Sequence, residues 1–247
     1  MPATALHPRS ATELIDASFQ LLRRHYTQLV AAAVVALLPY ILLVAVAGGR
    51  GPESPTALLA VFAQYLCAAL AEAAVIVGAS DAYLKGSVDI SRAITSTVQR
   101  LPAILVAGLL RGMATGLATL ALIFPGIYVW LRTFAIIPAV VLEEKPASAA
   151  FRRSWDLSKG EAWKVFVTLL LAWLIFVVLY FLLIMAAGTL ASRNERASSL
   201  LVAILLALVY PITGVVATLL YYDIRIRREG FDLELLAREE EPVAPSA

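Results

Sequence analysis

One cysteine and two histidines are all that this chain offers of the side chains most used for disulfides, metals and acid–base chemistry. Cys67 alone cannot close an internal disulfide or build a Cys-rich metal site. His7 and His25 leave little from which to assemble a His-based site. Charge is also scarce. Asp, Glu, Lys and Arg make up 15% of the 247 residues, where soluble domains carry about 25%. Ser, Thr and Tyr are scattered without a base and an orienting partner, so no nucleophile constellation is legible. No catalytic residue, cofactor or metal site is therefore expected, and no nucleic-acid partner.

What fills the chain instead is apolar. Hydrophobic residues make up 61% of it and the mean hydropathy is +0.83, which places it in the membrane class. A helix needs roughly 20 residues to cross a hydrocarbon core of roughly 30 Å. Six segments qualify, at about 28–47, 57–79, 101–123, 126–142, 163–188 and 199–222. The expected fold is all-α, a polytopic membrane protein with one six-span domain over residues 1–236 and a disordered tail at 237–247. The central hairpin runs from Leu101 to Ile123, turns at Phe124-Pro125-Gly126 and returns to Glu143.

Residues 1–9 read as a short flexible tail. Ser10-Ala11-Thr12-Glu13 then has capping-box spacing. Ile15, Phe19, Leu22 and Tyr26 follow as one apolar stripe, the pattern of a helix lying on a membrane surface. The next apolar run, Leu29–Ala47, is longer than a signal-peptide core and is preceded by this helix, so a retained first span is expected.

The turns between spans 1 and 2 (Gly48 to Pro52), 3 and 4 (Phe124 to Gly126), and 5 and 6 (Ser192 to Ser198) are short. The segments on the other side are longer and richer in Lys and Arg. That side collects fifteen basic residues against Arg50, Arg193 and Arg196 on the opposite one, with Arg111 and Arg132 inside the membrane. The positive-inside rule then puts both termini on the cytoplasmic side of the membrane.

The layout repeats: an amphipathic segment followed by a hairpin, three times. Ile90, Ile94, Val98 and Leu101 precede Pro102 and spans 3 and 4; Phe151, Trp155 and Ser158, between Pro146 and Gly160, precede spans 5 and 6. Three repeated helix-hairpin units and a mere consequence of alternating sidedness remain two readings of this pattern. Span 6 runs on through Tyr221 and Tyr222 into Arg225, Arg227 and Arg228, with Gly230 as its stop and Phe231 to Leu236 as a last turn on the membrane.

Charges inside the membrane are the sharpest signal, because each is costly there. Arg111 lies roughly 15 Å and Glu72 roughly 13 Å from the same edge at helical rise, with Arg132 roughly 10 Å in from the other. Glu72, Arg111 and Arg132 thus form a candidate intramembrane cluster, either a pairing that stitches spans together or a polar site for a lipid phosphate or anionic solute. Arg152, Arg153 and Trp155, with Arg225, Arg227 and Arg228, are candidate headgroup contacts.

At these residues a resemblance emerges. Tyr221 through Asp232, Phe124-Pro125-Gly126-Ile127, Arg132, Pro138 through Glu143, and Phe151-Arg152-Arg153-Ser154-Trp155 with Lys159-Gly160 resemble bacterial proteins with a glycerophosphoryl diester phosphodiesterase membrane domain. The likeness extends over about residues 10–236. Some relatives join this domain to a catalytic barrel, which would need about 250 further residues. The resemblance therefore implies a membrane domain and not the activity in the family name. The expected role is non-enzymatic, structural or accessory, with membrane lipids, membrane-protein partners or a second copy as partners. The alternative is a transporter or lipid-translocating protein with an intramembrane anion site.

Overall fold

The computed structural model describes residues 8–47, 55–191 and 194–240. Eleven helices and no strand are found among them. Six segments are long and apolar enough to cross a membrane: Ala11–Val46, Leu59–Lys85, Leu101–Ala121, Ile123–Leu142, Ala162–Leu190 and Arg196–Glu229. The chain is an all-helical, multi-pass membrane protein. The expected turn at 48–52, residues 1–7 of the expected N-terminal tail, residues 192–193 and the tail from 241 lie outside the described residues.

Helix α1 spans Ala11–Ala47. Ser10 and Glu13 cap it reciprocally: the Ser10 amide donates to Glu13 Oε2 at 2.7 Å, and the Glu13 amide to Ser10 Oγ at 3.3 Å. The surface segment and the first span are one helix, interrupted at His25, where φ is −122° and ψ 22°. The packed face is Leu14, Ser18 and Leu22, while Phe19 and Tyr26 of the expected stripe are each 40% exposed. In lipid an outward apolar ring carries no water penalty, so hydrophobic spacing alone does not select the packed face.

Helix α2 (Pro55–Lys85) ends at Gly86, whose φ of 77° suits a residue without Cβ. Helix α3 (Ile90–Gln99) is capped by Asp89, which accepts from the Arg92 amide at 2.9 Å. Helix α4 (Leu101–Ala121) follows, with Pro102 in its first turn.

The central hairpin turns at Leu122, in extended backbone, and not at Phe124 to Gly126. Helix α5 (Ile123–Arg132) already contains those three residues. Proline lacks an amide hydrogen, but the first turn of a helix has no acceptor for one, so Pro125 fits within the first turn of α5. Gly126 has a separate reason. A Cβ there would lie 2.1 Å from Thr119 Oγ1 and 2.8 Å from Thr119 Cα, so the two arms touch through bare backbone.

The fourth span is likewise not one helix. It breaks over Thr133 to Ala135 and resumes as α6 (Ile136–Leu142). Pro138, in the first turn of α6, cannot donate back to Phe134, so a continuous helix would be broken here. Helix α7 (Ala147–Leu157) starts after Pro146 and is followed by Gly160 at φ 81°.

Helix α8 (Ala162–Leu190) is the most apolar span, and only 6% of its most apolar window is buried in the protein. Trp173, Phe181 and Leu182 on it are all more than half exposed, as a lipid-facing surface requires. Helix α9 (Glu195–Val209) begins four residues before the expected span, capped by Asn194. Pro211 then splits the last span and opens α10 (Pro211–Glu229). Gly230, at φ 65°, ends α10 in the left-handed C-cap. Helix α11 (Phe231–Glu240) is longer than the single turn expected and takes in the first residues assigned to the tail.

Helix α10 is the centre. From Ile212 to Ile226 it is buried nearly throughout, including Tyr221 and Asp223. It packs on α1, α2 and α8, with lesser contacts to α6, α7 and α9. Its approach to α2 is closest at Gly214, where a Cβ would lie 2.6 Å from Val75 Cγ1.

Candidate functional site

Polar chemistry concentrates at the end of the bundle where α2 and α10 finish and α4 and α8 begin. Three carboxylates organise it. Asp223, 3% exposed on α10, accepts from Arg227 one turn on, from Lys164 at the start of α8, and from the Arg9 amide. The Arg9 carbonyl in turn accepts from Arg227 at 2.8 Å. These bonds tie the start of the described chain to two spans.

Glu143, at the end of α6, is the second hub. It accepts from Arg153 Nε at 2.9 Å and from the Tyr221 hydroxyl, with Arg225 and Lys145 nearby. Burial alone would raise its carboxyl, but the hydrogen bonds from Arg153 and Tyr221 and the charges of Arg153 and Arg225 outweigh it. They hold Glu143 below the ordinary carboxylate range. Arg153 also forks onto Glu229.

Asp81, near the end of α2, is the third. It is 2% exposed, pairs with Lys85 at 2.8 Å and with Arg92, and keeps its second oxygen without a hydrogen-bond partner among the described residues. Close by, Ser80 Oγ and the Tyr222 hydroxyl lie 2.7 Å apart. The serine's partner is a phenol rather than a base that could activate it. A cavity of about 450 Å³ opens here, lined by Ser80, Asp81, Arg92, Glu143 and Arg225 among others. No group of three or more His, Cys, Asp or Glu able to hold a metal occurs among the described residues.

Deeper in the bundle, Arg111 of α4 meets Glu72 of α2 head-on, Nη1 to Oε1 at 2.9 Å and Nη2 to Oε2 at 2.7 Å. This bidentate fork uses both carboxylate oxygens. The expected cluster of three is thus a pair. Arg132 lies elsewhere, 6% exposed, with its guanidinium 4.8 Å from the Trp155 ring and 5.6 Å from that of Tyr128. Its carbonyl accepts from Ser154 Oγ at 2.8 Å, and the same hydroxyl accepts from the Ala135 amide. Depth along a helix does not give the face on which a side chain lies, and Arg132 meets Trp155 of α7 rather than Glu72. The interruption after Arg132 lets Ser154 bond the freed backbone and draws α5 to α7.

The other marked residues also have internal partners. Arg225 stacks on Phe231 at 4.1 Å and reaches Glu229 and Glu234; Arg227 bonds Asp223; Arg228 bonds the Lys159 carbonyl. Arg152 is exposed, and with Phe151 and Trp155 it lines an open apolar recess of about 650 Å³. Glu143, Ser154, Tyr221 and Asp223 lie in the stretches that carry the family resemblance, but the sequence assigned neither them nor Lys164 a place in a site. Only Asp223 left a local trace, at i,i+4 from Arg227.

The family described as "Membrane domain of glycerophosphoryl diester phosphodiesterase" matches residues 101–224, half of the chain. The matched stretch runs from α4 into α10 and includes Arg111, Glu143 and Asp223, but not Glu72 or Asp81. It is narrower than the likeness seen in the sequence and stops before Arg225. No curated protein and no solved structure matches the chain.

Proposed function

The chain belongs to the glycerophosphoryl diester phosphodiesterase membrane-domain family, and from that premise we propose that it is a non-enzymatic accessory protein that engages lipids or partner proteins. The observation that carries this reading is the Glu72–Arg111 fork. A translocation site for an anion needs an intramembrane cation free to bind it. Here the best-placed arginine already has its carboxylate, and the pair ties α2 to α4. The matched family portion is a membrane domain, which supports the same reading.

By the basic asymmetry, the charged end of the bundle faces the cytoplasm of a bacterial cell. Arg152, exposed beside Trp155, is then placed for anionic headgroups. Native mass spectrometry of the gently extracted full chain tests the role. Retained lipids, a partner or a second copy support it. Metal-dependent hydrolysis of a glycerophosphodiester by the purified chain, or solute-dependent protection of Glu72 and Arg111, overturns it.

A further inference from the structure

A second cavity, of about 330 Å³, lies between α1, α2 and α10, beside the break in α1. Its described wall carries Arg9, Arg24 and His25 but no carboxylate. Among the described residues, none of these three side chains has a carboxylate within ion-pair distance. Asp223, the nearest acid to Arg9, is bound to its amide rather than its guanidinium and is shared with Lys164 and Arg227. The Arg9 guanidinium instead lies 5.7 Å from the centre of the Tyr83 ring. The remaining wall is largely apolar, with Leu21, Ala82 and Leu219.

This combination differs from the rest of the charged end, where each buried hub balances acid with base. Basic groups of one sign around a small cavity lack a counter-charge, and phosphate oxygens supply one through charge-assisted hydrogen bonds. The apolar wall suits the glycerol and first methylenes of a lipid better than a free anion. We propose that this cavity binds the phosphate of an anionic phospholipid, with Arg9, Arg24 and His25 contacting its oxygens. The assignment rests on the accessory reading for its lipid and adds the place where that lipid sits.

The test is lipid titration of the full chain in neutral detergent, followed by native mass spectrometry, with phosphatidylglycerol against phosphatidylcholine. The wild-type chain is expected to retain phosphatidylglycerol selectively. Arg24→Gln with His25→Gln should weaken its binding about tenfold, the loss expected of a charge-assisted contact. Ala17→Phe, which fills the cavity and leaves its charges alone, should do the same. Arg23→Gln, on the exposed neighbour outside the cavity, should leave binding unchanged. Melting curves without lipid identify any variant that has lost its fold, and the changes at exposed Arg24 and half-buried His25 keep the test decisive if Ala17→Phe does. Equal weakening by Arg23→Gln would mean attraction to basic surface in general and would overturn the site. Displacement of the lipid by inorganic phosphate at the same concentration would overturn the lipid assignment. Either failure with lipids or partners still co-purifying would remove this cavity and leave the accessory role standing.

Discussion

Glu72 on α2 and Arg111 on α4 satisfy one another through two parallel hydrogen bonds, at 2.9 and 2.7 Å. The pair is intramolecular, mostly buried, and joins two spans that share few other polar contacts. Its Coulomb attraction offsets two desolvation costs that neither residue could offset alone.

Glu72→Ala should therefore strand the arginine and cost about 2.5–3.5 kcal/mol, the penalty for one unpaired charge at mid-membrane. Thermal unfolding in detergent should show a clear fall for Glu72→Ala and almost none for Asp156→Ala, whose side chain is 62% exposed. Glu72→Leu combined with Arg111→Met should recover part of the loss. Equal melting of Glu72→Ala and Asp156→Ala would remove the pair from any account of stability.

Gly126→Ala should loosen the central hairpin. The added methyl meets the Thr119 backbone at 2.8 Å, which cannot rotate away as a side chain could. Overpacking of this kind costs about 1–3 kcal/mol. Gly116→Ala, where a Cβ would meet nothing within 4 Å, is the matched control and should be neutral or slightly stabilising. The comparison fails if both variants melt alike.

How much of this could be read in advance depended on the range of the interaction. Hydropathy is local and helical rise is constant, so the six spans and the common depth of Glu72 and Arg111 followed from counting. The partners of Arg132 did not. Counting gives depth and not the face on which a side chain lies, and the backbone on either side of the break at Thr133 to Ala135 bonds Ser154, about twenty residues later. The arginines after Tyr222 looked like headgroup ligands although Arg225 and Arg227 each have an acid one turn away, Glu229 and Asp223; the partners from other helices left no such trace. Glu143 lies 78 residues from Tyr221, and no window short enough to show periodicity spans that distance.

Stability should fall in acid through Glu143. Its carboxyl is depressed in the folded protein, so its contribution is complete above the ordinary carboxylate pKa and is lost as pH falls through the lower folded value. Melting in detergent should decline from about pH 5 downward. Glu143→Gln should lie below wild type at neutral pH and follow a flatter acid limb. An acid limb identical in slope for the two proteins would clear Glu143 of the effect.

The proposed orientation makes a labelling prediction in a Cys67→Ser background. A cysteine at Asn194 should react with an impermeant reagent in intact cells. Cysteines at the exposed Ser91 and Lys159 should react only after the cells are opened. Labelling at Ser91 from outside would invert the proposed topology.

The burial of α10 bears on how the protein is made. The helix that contacts most of the others is the last long one in the described chain, so the ribosome delivers the surrounding helices before the post they close around. Until residues 211–229 emerge and insert, Val75 and Ala79 of α2 and Leu22 and Leu29 of α1 lack part of the packing seen in the finished bundle. Insertion of the earlier spans and their final packing are thus separated in time. A chain stalled before Pro211 should reach the membrane yet stay loosely assembled and open to quality-control proteases.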